Sequence, residues 1–407
     1  MPKSGGAAIP MPLNSKDLIY VVGNAEVIEN MPAVKPFAPF AEETVSFLNA
    51  LSGILLKTGK AYPDVVTFGF WCRKAAVLKE KAGYDDLEYR LGRGVAFHST
   101  PSNVAVNFAF SFAAALLAGN ANIVRLPAKD FPQVDIICAG IKELLNGEFK
   151  NLAPYVCMVK YGMIKEISDT FSNLCDARIV WGGDMTISLM RQSPLPPRAV
   201  EVLFADRHSL LAIDADEYLK ALDKNKIAQS FYNDTFLTDQ NACTSSRVVI
   251  WLGREKEKAK NEFWTHAHDY AYQKYTIEPV QAVGKLAAFY KAAAALNISA
   301  VKTPDTLITR AALNELSPEV TDYKYNSGFF YEYDAENLNE IAPLCGKKCQ
   351  TLTYYGLNEE TLKDFMQTVR PKGVDRIVPI GKSMDFTLVW DGYDLIRELS
   401  RIINIVS

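Results

Sequence analysis

The apolar positions of this chain follow two regimes. Near the N-terminus, Phe40, Val45, Phe47, Leu48, Leu51 and Leu55 recur at spacings of three and four, which predicts an amphipathic helix over residues 38–56. Residues 64–81 repeat the pattern up to Gly83 and predict a second helix. From Gly94 the period changes. Short apolar runs at 94–97, 122–126, 155–160 and 177–181 read as strands. The stretches 104–117, 134–145, 163–174 and 185–191 between them read as helices. This alternation predicts a parallel sheet with helices on its faces.

Residues 192–198 (QSPLPPR) hold three prolines and predict a loop, a candidate hinge between domains. A second alternating region follows: a strand at 209–213, a helix at 217–231, a strand at 247–252 and a long helical region at 255–290. Residues 301–317 carry no clear pattern. Residues 329–333, 350–355 and 386–390 predict further strands, and residues 393–405 an amphipathic C-terminal helix.

Composition narrows the class. At 407 residues, two or three domains are expected. The chain is 49% hydrophobic and 22% charged, which excludes a largely disordered protein. With 44 basic and 47 acidic residues the net charge is −3, so no global basic field exists to attract nucleic acid. Residues 1–13 have one lysine and no continuous apolar core, unlike a secretory signal. The longest apolar stretch, residues 108–119, is short of the ~20 residues a membrane span needs. A soluble, cytoplasmic protein with no membrane span is expected. Seven scattered cysteines are too few for a disulfide framework and fit reduced thiols. Cys345 and Cys349 lack a second pair at zinc spacing, so no metal is expected.

Motifs exclude several chemistries. There is no HExxH, no Walker sequence, no GxSxG and no GxGxxG. His266 and His268 are two apart in a predicted helix and point to different faces, so they read as surface histidines. Cys243 stands apart in residues 239–247 (DQNACTSSR), directly before a predicted strand and among small polar neighbours. It is either a buried loop cysteine or an approachable nucleophile. The polar segment 98–103 (HSTPSN) follows a strand at the edge where open α/β sheets place ligands. Asn103 there is either a helix N-cap or a hydrogen-bond donor to an oxyanion.

These segments together resemble the aldehyde dehydrogenase superfamily, and within it the acyl-CoA reductase branch of LuxC-like fatty acyl reductases. Pro101 to Asn103, followed by residues 117–125 (LAGNANIVR), is similar to the superfamily's Pro-x-Asn turn, buried helix and Ala-Gly-Asn strand. The Cys243 segment resembles its catalytic cysteine loop, with Arg247 just beyond. Residues 340–343 (EIAP) resemble its Glu-Ile-Phe-Gly-Pro motif, and residues 373–381 (GVDRIVPIG) a segment of the acyl reductase branch. The resemblance implies an α/β, aldehyde dehydrogenase-like fold. Residues 1–205 would form the N-terminal region and the Rossmann-like cofactor domain, and residues 206–345 the catalytic cysteine domain. Residues 346–407 would form a C-terminal segment packing back on both.

The implied chemistry is reduction of an acyl-CoA, long-chain by the branch, to the aldehyde through an acyl thioester on Cys243. Asn103 and the Cys243 amide would form the oxyanion hole. Gly182 and Gly183 would sit against the cofactor, and Glu340 would bind the nicotinamide ribose. Two departures sharpen this. The superfamily's water-activating Glu-Leu-Gly-Gly segment corresponds to residues 203–206 (LFAD), with no matching glutamate, and Glu201 is displaced. That loss favours coenzyme A over water. The superfamily's Lys-Pro-Ala-Glu becomes Arg125 to Ala128 and then Lys129, which removes a carboxylate and adds a cation. NADPH is the expected cofactor, with NADH as the alternative. A homo-oligomer and an acyl-transferring partner enzyme are expected from the branch. The rival readings are aldehyde oxidation, acyl-phosphate reduction in a compact cationic pocket, or a non-catalytic scaffold subunit. His98 and His208 match no family motif. Phe329, Phe330, Tyr331 and Tyr333 read as core, with an apolar tunnel as the alternative.

Overall fold

The alternating region from residue 94 builds a parallel sheet, as its periodicity predicts. A computed structural model describes residue 13, residues 15–102 and residues 104–406. The chain divides into two units: residues up to Ala205 together with those from Phe386 onwards, and Asp206–Asp385.

Up to Ala205, the strands of the first unit are β1 (Ile19–Val22), β2 (Arg90–Gly92), β3 (Val95–Ser99), β4 (Ala121–Arg125), β5 (Val156–Lys160), β6 (Ala177–Trp181) and β7 (Val200–Phe204). Six of them form one sheet in the order β1-β5-β4-β3-β6-β7. β3 to β7 run parallel, and β1 pairs antiparallel with β5. β4 and β5 step out on one side of β3, and β6 and β7 on the other. The order therefore reverses between β3 and β6, and open α/β sheets bind ligands at the carboxyl ends of such a pair. Helix Asn107–Leu117 is buried on nearly every side, with Phe108, Phe112 and Leu116 at 0% exposure, which accounts for its lack of a polar stripe. The proline loop 192–198 does not separate the units. It leads into β7, which is in the same sheet, and buried Arg178 donates to the carbonyls of Met190 (3.0 Å) and Ser193 (2.8 Å) on its near side.

The C-terminal prediction needs correction. The helix is limited to Leu395–Leu399, and Ser400–Ile402 is a strand antiparallel to β2. Predicted strand 386–390 is reduced to Val389–Trp390. The predicted helix over 64–81 is two helices, Pro63–Trp71 and Lys74–Lys81.

The second unit contains β8 (His208–Asp214), β9 (Ser246–Leu252), β10 (Ile298–Val301), β11 (Thr309–Leu313), β12 (Phe329–Asp334), β13 (Cys349–Tyr355) and β14 (Arg376–Pro379), ordered β10-β11-β12-β9-β8-β13-β14. All neighbours are parallel except β10 and β11. Predicted helix 217–231 is Ala215–Leu219 followed by Lys224–Asp234, and region 255–290 is Lys256–Tyr272 followed by Pro279–Ala293. Phe329, Phe330 and Tyr331 are fully buried in β12 and serve the core. Glu332 on the same strand is buried too. It pairs with Arg310 and accepts the indole N–H groups of Trp251 (2.9 Å) and Trp264 (2.8 Å). Among the described residues, no helix is long and apolar enough to cross a membrane.

Candidate active site

The loop that carries Cys243 is pinned from several directions. Asp239 and Gln240 both adopt left-handed backbone (φ 51° and 52°), a costly conformation for residues other than glycine. The cost is offset by Gln240, which is fully buried and uses its whole carboxamide. Its nitrogen donates to the carbonyls of Ser246 and Phe329, each at 3.2 Å. Its oxygen accepts from the amides of Gly328 (2.7 Å) and Phe329 (3.1 Å). Gly328 has φ +81°, and a Cβ there would lie 2.6 Å from the Leu307 carbonyl oxygen, so only glycine fits. Asp239 accepts from the Tyr275 hydroxyl and from Gln281 (3.2 Å).

Cys243 itself hangs from β8, because the Ser209 hydroxyl donates to its carbonyl at 2.8 Å. The register shifts where Ser209 and Leu210 face Ser246 and Val248, which leaves Arg247 as the extra residue of a bulge. β13 carries a matching shift, with Gln350 extra opposite His208 and Ser209. The amino ends of β8, β9 and β13 thus form an irregular edge, and Cys243 stands on it. The other six cysteines are buried; Cys243 is half-buried. Burial pushes the thiols of Cys138, Cys157 and Cys175 up to about 12, which leaves them unreactive.

A cavity of about 180 Å³ opens at the same edge, lined by Asp206, Arg207, His208, Thr321, Lys324 and Lys348, among others. Its cations are largely answered. Lys324 pairs with Asp206 (2.8 Å) and Arg207 with Asp375. His208 is buried, with a pKa lowered to about 4 mainly by desolvation, and so is neutral at pH 7. Its Nε2 lies 3.4 Å from the Leu344 carbonyl.

Glu340 is placed elsewhere. It lies in the helix Leu338–Leu344 that follows β12, where its Oε1 accepts from the amides of Glu336 (3.1 Å) and Asn337 (3.3 Å) in a capping box. The carboxylate therefore sits near the carboxyl end of β12, whereas Cys243 lies at the amino ends of the strands.

In the first unit, Gly182 and Gly183 follow β6 at the point where the strand order reverses. A Cβ at Gly183 would meet nothing within 4 Å, so the backbone there is open to a ligand. Arg125 ends β4; its guanidinium donates to the carbonyls of Tyr161 (3.3 Å) and Gly162 (3.0 Å) and lies over the Tyr161 ring. Lys129 is exposed, four residues beyond the end of β4. Asn103 lies outside the described residues, though Ser99 and Thr100 before it are in place, and the Thr100 hydroxyl donates to the Arg125 carbonyl (2.6 Å).

Two arrangements could not be read from the sequence. The first is a buried chain of hydrogen bonds. The Asn122 amide nitrogen donates to the Asn120 carbonyl (2.8 Å), so its oxygen accepts from His98 Nε2 (3.0 Å). His98 Nδ1 then accepts from the Ser111 hydroxyl (2.7 Å), whose oxygen accepts from Trp181 Nε1 (3.0 Å). Every member is satisfied, and Trp181 is fixed directly before Gly182. Desolvation lowers the His98 pKa to about 4, so the ring is neutral. The second is a clamp on Glu201. Arg178 donates from Nε and a terminal nitrogen to its Oε1, and Arg191 donates to Oε2 at 2.9 Å. Only the odd sequence position of Glu201 hinted at this.

Solved structures share the whole fold. A benzaldehyde dehydrogenase from Corynebacterium glutamicum superposes with a TM-score of 0.59 at 16% identity, covering 92% of this chain and 86% of that one. Aldehyde dehydrogenase 21 from Physcomitrella patens gives 0.65 at 13% identity, covering 93% and 89%. Indole-3-acetaldehyde dehydrogenase from P. syringae gives 0.63 at 11% identity, covering 93% and 87%. No curated protein matches the sequence. The chain thus has the two-unit α/β fold of the aldehyde dehydrogenase superfamily. Residues 76–278 match the acyl-CoA reductase (LuxC) family, and the chain is a member of it. Family and fold together assign an oxidoreductase acting on acyl and aldehyde groups.

Proposed function

We propose that the protein reduces a long-chain acyl-CoA to the aldehyde with NADPH, through a covalent thioester on Cys243. One observation carries this reading: of seven cysteines, Cys243 alone escapes burial, and it does so on a loop held rigid by Gln240, Ser209 and Arg247. Rigid placement of a nucleophile is what covalent catalysis requires.

In the first step the Cys243 sulfur attacks the thioester carbonyl. The carbon–sulfur bond to coenzyme A breaks, coenzyme A leaves as the thiol, and the acyl group is held on Cys243. A nicotinamide, when bound at Gly182 and Gly183, would supply the hydride that reduces the acyl carbon held on Cys243. The resulting thiohemiacetal alkoxide on Cys243 then collapses, the carbon–sulfur bond breaking to release aldehyde and the Cys243 thiolate, which takes a proton from solvent or re-enters the cycle. By the family resemblance, Asn103 would donate to the oxygen that becomes negative in both halves. Gly182 and Gly183 leave room for the cofactor at the reversal of strand order, and Arg125 and Lys129 supply positive charge for a 2′-phosphate. Glu340, which caps its own turn through Oε1, would bind the nicotinamide ribose. Glu201 is locked between two arginines, which withholds it from activating water and leaves coenzyme A as the acyl exchange partner.

The test is a panel of acyl-CoA esters from C2 to C16, each with NADPH and with NADH, followed by nicotinamide absorbance. Turnover that rises with chain length and has the lower KM for NADPH is expected. Equal or better use of NADH refutes the assignment of Arg125 and Lys129, and turnover confined to the shortest esters refutes the long-chain substrate.

A further inference from the structure

Arg247 poses an electrostatic problem that its surroundings do not solve. It is 8% exposed and forms no ion pair among the described residues. Its terminal nitrogens donate to the carbonyls of Gln240 (2.7 Å) and Tyr325 (2.7 Å) and to the Asn326 side chain (2.8 Å). Its Nε, buried as well, has no hydrogen-bond partner. A buried cation without a counter-charge is costly, and carbonyl dipoles answer it only in part. Asp206, the carboxylate that acts on it, is already paired with Lys324.

The other group whose charge acts on Arg247 is Cys243, four residues earlier on the loop whose Gln240 carbonyl Arg247 holds. Other titratable groups at this edge are His208, neutral above pH 5, and the cations Arg207, Lys324 and Lys348. The carboxylates Asp322 and Asp375 lie at this edge as well; Asp375 is paired with Arg207, and neither is among the charges that act on Arg247.

We propose that Arg247 is the fixed counter-charge of the Cys243 thiolate, a positioning residue that both braces the nucleophile's loop and favours the reactive ionised sulfur. The bulge at Arg247 gives this a structural cause, since bulges re-aim a side chain beside a site. The proposal rests on the reading of Cys243 as the nucleophile. Arg247 acts through the sulfur and touches no substrate.

The experiment measures the rate of iodoacetamide alkylation at residue 243, identified by peptide mass spectrometry, from pH 6 to 9.5 on the full chain. It compares the wild type with Arg247→Met and Arg247→Lys, each with its melting temperature recorded. Removal of a neighbouring opposite charge should raise the midpoint of the pH–rate curve by about one unit. Below the midpoint, Arg247→Met should therefore react about tenfold more slowly than the wild type. Arg247→Lys loses the same hydrogen-bonding fork but keeps the charge, and should hold the midpoint within about 0.3 unit of the wild type, the charge being the term that sets it. A purely structural role would slow both variants alike and leave both midpoints in place; that outcome overturns the proposal, as does a Lys variant displaced as far as Met. Should Arg247→Met not fold, Arg247→Gln serves as the neutral variant with the same expectation. A separate arm incubates wild type with labelled acyl-CoA. Failure of that arm overturns the nucleophile reading, whereas label on Cys243 with an unmoved midpoint overturns the role of Arg247 alone.

Discussion

Replacement of Glu201 by glutamine separates two roles that look alike in sequence. Arg178 is 2% exposed, and its guanidinium is committed to Glu201, Ser172 and the carbonyls of Met190 and Ser193. Glu201→Gln keeps the shape but removes the only carboxylate on that buried cation among the described residues. Breaking a buried pair from one side typically costs 3–5 kcal/mol. The lower end applies, because the Glu201 side chain is 15% exposed and its second partner, Arg191, is 58% exposed. A loss of about 3 kcal/mol in a unit of this size lowers the melting temperature by roughly 6–12 °C. Differential scanning calorimetry measures the shift. Acyl-CoA reduction, assayed well below the transition, should keep most of its rate, because Glu201 performs no step. A variant with an unchanged melting temperature and abolished turnover would refute the clamp and restore Glu201 as a base.

Three further outcomes follow from the site. On the proposed mechanism Asn103→Ala removes an oxyanion donor, a loss of about 2.7–4 kcal/mol, and should slow turnover by two to three orders of magnitude; a loss under tenfold in kcat removes it from that role. On the proposed cofactor assignment Lys129→Glu puts a carboxylate beside the ribose and should raise the KM for NADPH about tenfold while sparing NADH, on the order of one lost charge contact; steady-state kinetics with both cofactors decide. His98 and His208 are each held near pKa 4 against 6.5 unfolded, so between those values the unfolded chain takes up protons that the native state refuses. Stability is therefore lost as pH falls through that window, by up to ~1.4 kcal/mol per pH unit for each histidine. Asp234, pushed up to about 6 by burial, binds its proton first in the native state and offsets part of that loss. The melting temperature of His98→Gln should fall less steeply from pH 6.5 to 4.5 than that of the wild type, and parallel curves would contradict the buried neutral ring.

What was legible in the sequence was what local pattern controls. The strand at 177–181 was predicted to the residue, because five apolar-rich positions end at a glycine pair. The errors come from partners far along the chain. The helix predicted over 64–81 breaks where the Asn49 side chain accepts from the Lys74 amide (2.9 Å), a cap supplied 25 residues away. The C-terminal helix ends early because Asn120 takes the Leu399 carbonyl (2.8 Å) and β2 offers Ser400–Ile402 a partner strand. Other breaks had readable signals. Pro279, with Glu278 and Gln281 as a capping box, marks the start of the second helix within 255–290, and Asp223 caps the helix Lys224–Asp234. At the site, the partial exposure of Cys243 was legible from its small polar neighbours. The Gln240 lock was not, because it depends on β12, which lies almost 90 residues downstream. The local role of Glu340 was not legible either: the motif was recognisable, but not that its Oε1 caps its own turn.

The central claim is that Cys243 carries the acyl group. Incubation of the protein with radiolabelled long-chain acyl-CoA, without any nicotinamide, tests it most directly. The account predicts about one label per chain as a hydroxylamine-sensitive thioester, mapped to Cys243 and lost in Cys243→Ala, in keeping with a single covalent nucleophile. Label on another residue, or reduction that persists in Cys243→Ala, would contradict it.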